Sequence, residues 1–236
     1  MLRLIAGLET PDSGEVAVNG IRVEKLPPHR RGVSLLPQRP VLFPQLTVRD
    51  NLKVPGSADF APLKILMLEN LMERYPHQLS GGERQRVALG VLRLQNRPVW
   101  LLDEPMTALD PVFRAQFRAD LPLFARASGA TMLIVTHDPT DALAFGHRIG
   151  VLADGALQQL GTPEELRDHP SHRFVAFCTG VWALLDGTGD GKGSFTAKAG
   201  DHHPIPTSWP AGPLTLGFRK DSVVGFEGVS GKRLPP

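Results

Sequence analysis

Residues 79–89, with the sequence LSGGERQRVAL, combine a helix-capping pattern with two adjacent glycines. Ser80 is a favourable N-cap residue, and Glu83 three positions later completes a capping box. Gly81 and Gly82 allow backbone amides to approach a ligand closely. A helix N-terminus offers free N–H groups and the positive end of its dipole, so this turn is suited to bind an anion, above all a phosphate. An ordinary capped amphipathic helix would show the same pattern, and the motif therefore needs support from elsewhere in the chain.

Two adjacent carboxylates provide that support. In residues 99–105, VWLLDEP, four apolar residues lead directly into Asp103 and Glu104. This is the pattern of a buried strand that ends in acids at the carboxyl edge of a parallel sheet, where ligands bind. Asp110 follows in the tripeptide ALD, and a second apolar run, LIV, leads into Thr136 and His137. In isolation, each of these side chains could be structural.

The composition restricts the class of protein. The 236 residues, 42% of them hydrophobic, suit one sizeable α/β domain with a smaller appendage. The formal net charge is +2, with both signs spread along the chain, which argues against a dedicated nucleic-acid surface. No apolar run reaches the roughly 18 residues of a membrane span, and no signal peptide is recognisable. The single cysteine, Cys178, excludes an internal disulfide and favours a reducing compartment.

Hydrophobic periodicity and turn residues predict the remaining elements. The expected β elements are strands at 33–38, 99–103 and 131–135, hairpins over 16–23 and 149–157, and short strands after 183 that include 193–197 and 214–218. The expected helices are one that ends at Gly7, one that begins at Phe43, one that spans Leu63 to Tyr75, one over 82–96, one over 112–128 interrupted by Pro122, one that starts at Thr162 and a last one to Cys178.

The order of the motifs resembles that of the ATP-binding subunit of an ABC transporter. The resemblance rests on Gln38, LSGGERQRVAL, LLDEP, ALD and TH, and extends from Met1 to about residue 180. It implies an α/β fold: a P-loop NTPase-like ABC ATPase core over 1–180 that includes a helical subdomain at about 41–97. Residues 217–221, GFRKD, weakly resemble a segment of the regulatory (TOBE-like) β domain of importer ATPases. We therefore expect residues 181–236 to form a small, incomplete β appendage.

The resemblance implies catalytic and metal-binding roles, position by position. Asp103 would hold Mg²⁺, usually through a water. Glu104 would act as the general base that polarises the attacking water. Gln38 would reach the metal or that water, and His137 would contact the γ-phosphate and the dimer partner.

It also implies nucleotide-binding roles. Ser80, Gly81 and Gly82, with Gln85 in the same motif, would bind the γ-phosphate of an ATP held by the opposite subunit. Asp110 would lie at the dimer contact.

The expected function is ATP hydrolysis at a dimer interface, powering a membrane importer. The expected partners are ABC permease subunits, a second ATPase subunit that forms a homodimer, and indirectly a substrate-binding protein, but no nucleic acid. The expected location is peripheral, on the cytoplasmic face of the plasma membrane. The transported substrate is open among polyamines, iron, sulfate, molybdate and sugars. A soluble ABC ATPase of translation or DNA repair is disfavoured, since there is no tandem second cassette and no basic stretch.

No Gly-x-x-x-x-Gly-Lys-Ser/Thr motif occurs in the 236 residues, and Gly191-Lys192-Gly193-Ser194 lacks its spacing. In the resembling family this Walker A loop immediately precedes the segment similar to residues 2–7, so we expect the chain to begin just after it, through a misplaced start or a real truncation. We accordingly expect the chain by itself to bind ATP weakly. The alternative function is a catalytically incompetent half, or pseudo-ATPase, that supplies only the face around Ser80 to a complete partner.

Overall fold

A three-stranded parallel sheet organises the first of two structural units in the computed structural model. The structure describes residues 1–57, 59–180, 183–199, 201–219 and 222–235. The first unit runs from Met1 to His137 and the second from Asp138 to Pro236. The domain boundary that the sequence places at 180/181 stays a prediction. No helix within the described ranges has both the length and the apolar character needed to cross a membrane.

The elements of the first unit are, in order, α1 (Leu2–Ala6), β1 (Ala17–Val18), β2 (Ile21–Arg22), β3 (Val33–Leu36), α2 (Val48–Lys53), α3 (Gly81–Leu94), β4 (Val99–Asp103), α4 (Pro111–Ser128) and β5 (Thr131–Val135). Short 3-10 helices occupy Pro28–Arg30, Ala61–Leu66, Glu69–Leu71 and Pro76–Gln78.

The sheet has the strand order β3-β4-β5, and both pairings are parallel. Parallel neighbours require crossover connections, and α3 and α4 supply them. Leu2 and Ala6 of α1 pack with the buried Leu101 of β4, together with apolar residues of all three strands. The ring of Trp100 lies 5.6 Å from that of Phe124 in α4. All three strands therefore end at one edge of a sheet whose central strand is buried.

The N-terminal predictions are confirmed. Gly7 ends α1 in the left-handed conformation, with φ of 79°. β1 and β2 form the expected antiparallel hairpin, and Asn19 and Gly20 have φ values of 50° and 78°. Positive φ at both central positions defines the type I′ turn that Asn-Gly favours.

The expected helix from Leu63 to Tyr75 is wrong. Its place is taken by two 3-10 helices separated by Met67 and Leu68, and Met67 adopts a left-handed φ of 49°. The guanidinium of Arg86 in α3 donates to the carbonyl oxygens of Leu66 and Met67, each at 3.1 Å. These carbonyls bond to an arginine, so the break in the helix leaves them satisfied. The helix expected from Phe43 likewise begins later, at Val48, where Thr47 accepts the amide of Asp50 as its N-cap.

The expected interruption at Pro122 is also wrong, because α4 continues through it to Ser128. Proline cannot donate the intrahelical hydrogen bond and its ring crowds the preceding turn. Here Phe117, Leu121 and Phe124 are buried on the same helix. Their tertiary packing outweighs the local cost of the proline.

The second unit contains α5 (Pro139–Phe145), β6 (Ile149–Ala153), β7 (Ala156–Gly161), α6 (Pro163–Asp168), α7 (Arg173–Thr179), β8 (Ala183–Asp190), β9 (Ser194–Ala197), β10 (His202–Pro204), β11 (Ala211–Arg219) and β12 (Ser222–Glu227). The β6–β7 hairpin turns at Asp154-Gly155 as expected, and Thr162 and Glu165 form the expected capping box of α6.

Five strands after residue 183 form an antiparallel sheet in the order β10-β9-β8-β11-β12. Its buried core includes Phe195, Trp209, Leu214 and Leu216. The expected β-rich character of this region is therefore observed. Of the GFRKD segment, residues 217–219 end β11, whereas Lys220 and Asp221 lie outside the described residues.

Candidate functional site

Glu104 occupies the centre of the candidate catalytic site, directly after β4. Its carboxylate accepts three side-chain hydrogen bonds: from Nε2 of Gln38 at 2.8 Å and Oγ1 of Thr107 at 3.0 Å, both to Oε2, and from Nδ1 of His137 at 3.0 Å to Oε1. The backbone amide of Glu104 donates to the carbonyl oxygen of Val135 at 2.9 Å. Both ends of this residue are therefore held by groups from other parts of the first unit.

The sheet topology brings these side chains together. Gln38 follows β3, Glu104 follows β4 and His137 follows β5, so three parallel strands deliver them to one edge. Glu104 has a positive φ of 46°, which is uncommon for a residue other than glycine, asparagine or aspartate. Such a backbone outlier persists where its surroundings hold it, and it is often found at active sites.

Electrostatics keep the Glu104 carboxyl ionised near neutral pH. The hydrogen bond from His137 holds its pKa below the usual range, with further lowering from Thr107 and Gln38 and an opposing contribution from desolvation. The carboxylate remains partly accessible, with 22% of its side-chain surface exposed. It is therefore an ionised group in contact with solvent that can accept a hydrogen bond from water.

Asp103 is the last residue of β4 and is half-buried beside Val135 in the parallel pairing. Its carboxylate and the amide oxygen of Gln38 are hard oxygen donors, the chemistry that Mg²⁺ prefers. Among the residues that the structure describes, no three His, Cys, Asp or Glu side chains form a group that could hold a metal ion. Mg²⁺ is usually held by one or two carboxylates together with substrate phosphates rather than by an all-protein cage, and the donor set at Asp103 fits that mode.

A cleft of about 290 Å³ lies at the N-terminus of α3. Its lining includes Ser80, Gly81, Gly82 and Asp110. Ser80 is the N-cap of this 14-residue helix, and the reciprocal bonds between Ser80 and Glu83 confirm the capping box. The sequence-predicted phosphate-binding turn therefore opens onto a concave surface.

The rest of the lining is formed by Glu83, Arg86, Ala108 and Phe113. The guanidinium carbon of Arg86 lies 4.5 Å from the centre of the Phe113 ring, which is a cation–π geometry. Asp110 accepts the amide of Phe113 at 3.0 Å and so caps α4. The cleft thus combines a helix N-terminus, the cation of Arg86 and the carboxylates of Glu83 and Asp110.

Gln85 is placed differently from the other residues of its motif. It is buried in α3, with 2% of its surface exposed, and does not line the cleft. Neither of its side-chain polar atoms has a hydrogen-bond partner among the described residues. The structure therefore separates Gln85 from the surface formed by Ser80, Gly81 and Gly82.

Two residues at these sites escaped the sequence analysis. Thr107 follows Glu104 by three positions, the spacing of a tight turn, and this spacing could have indicated their hydrogen bond. Arg86 lies inside the motif LSGGERQR, but only the packing of α3 against Leu66, Met67 and Phe113 reveals its contacts.

Comparison with known proteins identifies the family. The family model described as "ABC transporter" matches residues 1–107. The sn-glycerol-3-phosphate import ATP-binding protein of Rhizobium johnstonii is 41% identical, over 94% of this chain and 65% of its own length. The trehalose import ATP-binding protein of Mycobacterium tuberculosis is 42% identical, over 78% of this chain and 49% of its own length. The chain thus spans 65% of the length of the first relative and 49% of that of the second.

Solved structures agree with this result. A dimeric ATP-binding cassette in a post-hydrolysis state with ADP and Pi has a TM-score of 0.61 and 30% identity, and the match covers 68% of this chain and 78% of that one. The chain belongs to the ABC transporter family, as an ATP-binding domain.

Proposed function

We propose that this chain forms part of the ATP-binding and ATP-hydrolysing subunit that powers an ABC importer. The observation that carries the proposal is the carboxylate of Glu104, held by Gln38 and His137 at the carboxyl ends of the parallel strands. The cleft at Ser80 lies in the same structural unit. The two importer ATP-binding proteins described above support the same activity.

In the proposed reaction, Glu104 orients and polarises the water that attacks the γ-phosphate. The contacts of the resting site hold the pKa of Glu104 low. Even without them, a glutamate with the usual pKa of about 4.3 is ionised in the neutral range, so the carboxylate can accept a hydrogen bond from the water. Gln38 and His137 would turn toward the phosphate side of the site, where they stabilise the transferred group. Asp103, with Gln38, would hold Mg²⁺, which neutralises negative charge on the phosphates when bound.

The cleft at Ser80 serves the nucleotide of the opposite subunit in this proposal. The Ser80 hydroxyl and the free amides of Gly81 and Gly82 would bind the γ-phosphate at the positive end of the α3 dipole. Arg86, in the same cleft, adds positive charge. Asp110 would lie at the contact between the two copies. The dimeric cassette with ADP and Pi supports a homodimer.

The proposed membrane partner is a permease. Val41 and Phe43 are exposed apolar residues in the loop that leads to α2, and the side chain of Asn51 fixes the backbone of Phe43 by accepting its amide at 2.8 Å. A rigid, exposed apolar segment of this kind suits a protein contact. The site would therefore act at the cytoplasmic face of the membrane, with a substrate-binding protein engaged only through the permease.

The decisive experiment replaces Glu104 by glutamine in the native full-length protein. E104Q preserves the size and hydrogen-bonding ability of the side chain but removes its basicity. We expect ATP hydrolysis to fall by a factor of about 10² or more, the size of a general-base contribution, while nucleotide affinity stays within threefold. E73Q is the matched control, because Glu73 is an exposed carboxylate paired with Arg49 outside the site. Hydrolysis by E104Q at the rate of E73Q would refute the proposed function.

A further inference from the structure

We propose that Thr107 is the positioning residue for the Glu104 carboxylate. Its hydroxyl holds this carboxylate in place when Gln38 and His137 turn to the nucleotide. The proposal rests on the function proposed above and assigns a role to a residue that the motif order left without one. It stands on the geometry of the turn that follows β4.

Thr107 binds Glu104 twice. Its hydroxyl donates to Oε2 of Glu104 at 3.0 Å, and its backbone amide donates to the Glu104 carbonyl oxygen at 3.3 Å. The two residues are only three positions apart, so the backbone bond closes a turn that brings the hydroxyl to the carboxylate. No other element of the protein has to move for this contact to form.

In the proposed reaction, the other two donors to Glu104, Gln38 and His137, contact other groups. Gln38 is exposed and follows β3, while 69% of the His137 side chain is exposed after β5. Both are proposed to contact the metal, the attacking water or the γ-phosphate. When they do so, their hydrogen bonds to Glu104 are lost, and the Thr107 hydroxyl is the remaining one of the three.

The distribution of the bonds over the two oxygens fits this division of roles. Thr107 holds Oε2, whereas His137 holds Oε1. Departure of His137 therefore frees Oε1 to accept a hydrogen bond from water, while Oε2 stays fixed by Thr107. A carboxylate anchored through one oxygen loses rotational freedom but keeps the other oxygen for the reaction, which is the benefit of a preorganised catalytic group.

The backbone that carries Thr107 is itself firmly placed. Met106 and Leu109 on either side are buried, and the amide of Leu109 donates to the carbonyl of Met106 at 3.1 Å. A Cβ atom built on Gly82 would lie 3.4 Å from the carbonyl oxygen of Ala108, so the N-terminus of α3 packs closely against this turn. Thr107 is exposed, yet the turn that presents its hydroxyl has little room to shift.

The test exploits the two halves of the threonine side chain. T107V keeps the shape and removes the hydroxyl, whereas T107S keeps the hydroxyl and removes the methyl. We expect T107V to lower kcat about tenfold with KM for ATP unchanged, and T107S to stay within twofold of the native protein, because a lost hydrogen bond to a charged group corresponds to at least that factor. T131V, at the exposed start of β5, is the control for a threonine-to-valine change. If Thr107 acted only through the packing of its methyl group, the order of the kcat values would be reversed, with T107S lower than T107V.

Crystal structures of T107V and T107S give a second readout that does not depend on hydrolysis. In T107V we expect the Glu104 carboxylate to leave its native position, and in T107S to keep it. A Glu104 side chain in the native position in T107V, or a kcat of T107V within twofold of native, would overturn the proposal. Failure of the proposed function would be recognised separately, by an E104Q protein that still hydrolyses ATP, and the crystallographic result would decide the role of Thr107 even then.

Discussion

Arg31 offers the sharpest stability prediction, because a single buried guanidinium binds the carbonyl groups of two separate backbone segments. Only 5% of its surface is exposed. It donates to the carbonyl oxygens of Leu4 and Ile5 in α1, at 2.8 and 3.2 Å, and to those of Glu24 and Leu26, at 2.8 and 2.9 Å. These two carbonyls of α1 lie in the last turn of a five-residue helix, where carbonyl groups lack partners within the helix, and that of Leu4 also accepts the amide of Gly7 at 3.2 Å. Arg31 therefore acts as the side-chain cap of α1.

Replacing Arg31 by methionine keeps most of the apolar volume and removes all the donors. Four carbonyl groups then lose a charge-assisted bond, while the cost of burying the guanidinium is relieved. We expect the free energy of unfolding of the first unit to fall by about 3 kcal/mol, the low end of the range for breaking a buried charged network. R31K should lose about half as much, because an ammonium group is a point donor that cannot span the same set of carbonyls.

Urea denaturation followed by far-UV circular dichroism measures this loss, with R30M as the matched control, since Arg30 is the exposed neighbour on the same loop. Hydrogen exchange of the amides in residues 2–8 should accelerate in R31M and not in R30M, because the cap acts on α1. The reasoning is refuted if the free energies of unfolding of R31M and R30M differ by no more than about 0.5 kcal/mol, the scatter expected of surface substitutions.

Two further predictions concern the permease contact and the second unit. Substituting the exposed Phe43 by aspartate should reduce transport about tenfold or more while ATP hydrolysis persists, because a charge disrupts an apolar contact. V229D, at another exposed apolar site, is the control. Transport and hydrolysis falling in strict proportion would count against the contact. Asp190 accepts the amides of Ser194 and Lys192, which hold the pKa of its carboxyl below the usual value of about 3.9. The contribution of Asp190 to stability is therefore complete above that value and is lost as the pH falls through the lowered pKa. The melting temperature of D190N should therefore lie below that of the native protein at pH 6 and converge with it toward pH 3; a difference that is constant over this range would contradict the assignment.

Local patterns in the sequence determined much of the scaffold and the ends of its strands. The apolar run before Asp103 and Glu104 forms β4, and the capping box of Ser80 and Glu83 begins α3 as expected. The turns at Asn19-Gly20 and Asp154-Gly155 also form. These features depend on interactions within a few residues, so the signals for them lie side by side in the chain.

The convergence of Gln38, Glu104 and His137 was expected only through the resemblance, and the parallel order β3-β4-β5 supplies its physical cause. Residues 38, 104 and 137 are far apart in sequence, and no local propensity measures the distance between them. The sequence indicated which chemical groups take part, and the fold determined that these groups are in contact.

The tertiary structure alone decided the remaining features. The hydrophobic spacing between Leu63 and Tyr75 suits a helix, yet Arg86 takes the carbonyls of Leu66 and Met67 and the chain folds as 3-10 turns. Pro122 remains inside α4 because buried neighbours on that helix compensate for it. In both cases a long-range contact outweighed a local preference, since helix propensities amount to about 1 kcal/mol per residue or less for residues other than proline, whereas a buried side chain or a charge-assisted hydrogen bond contributes more.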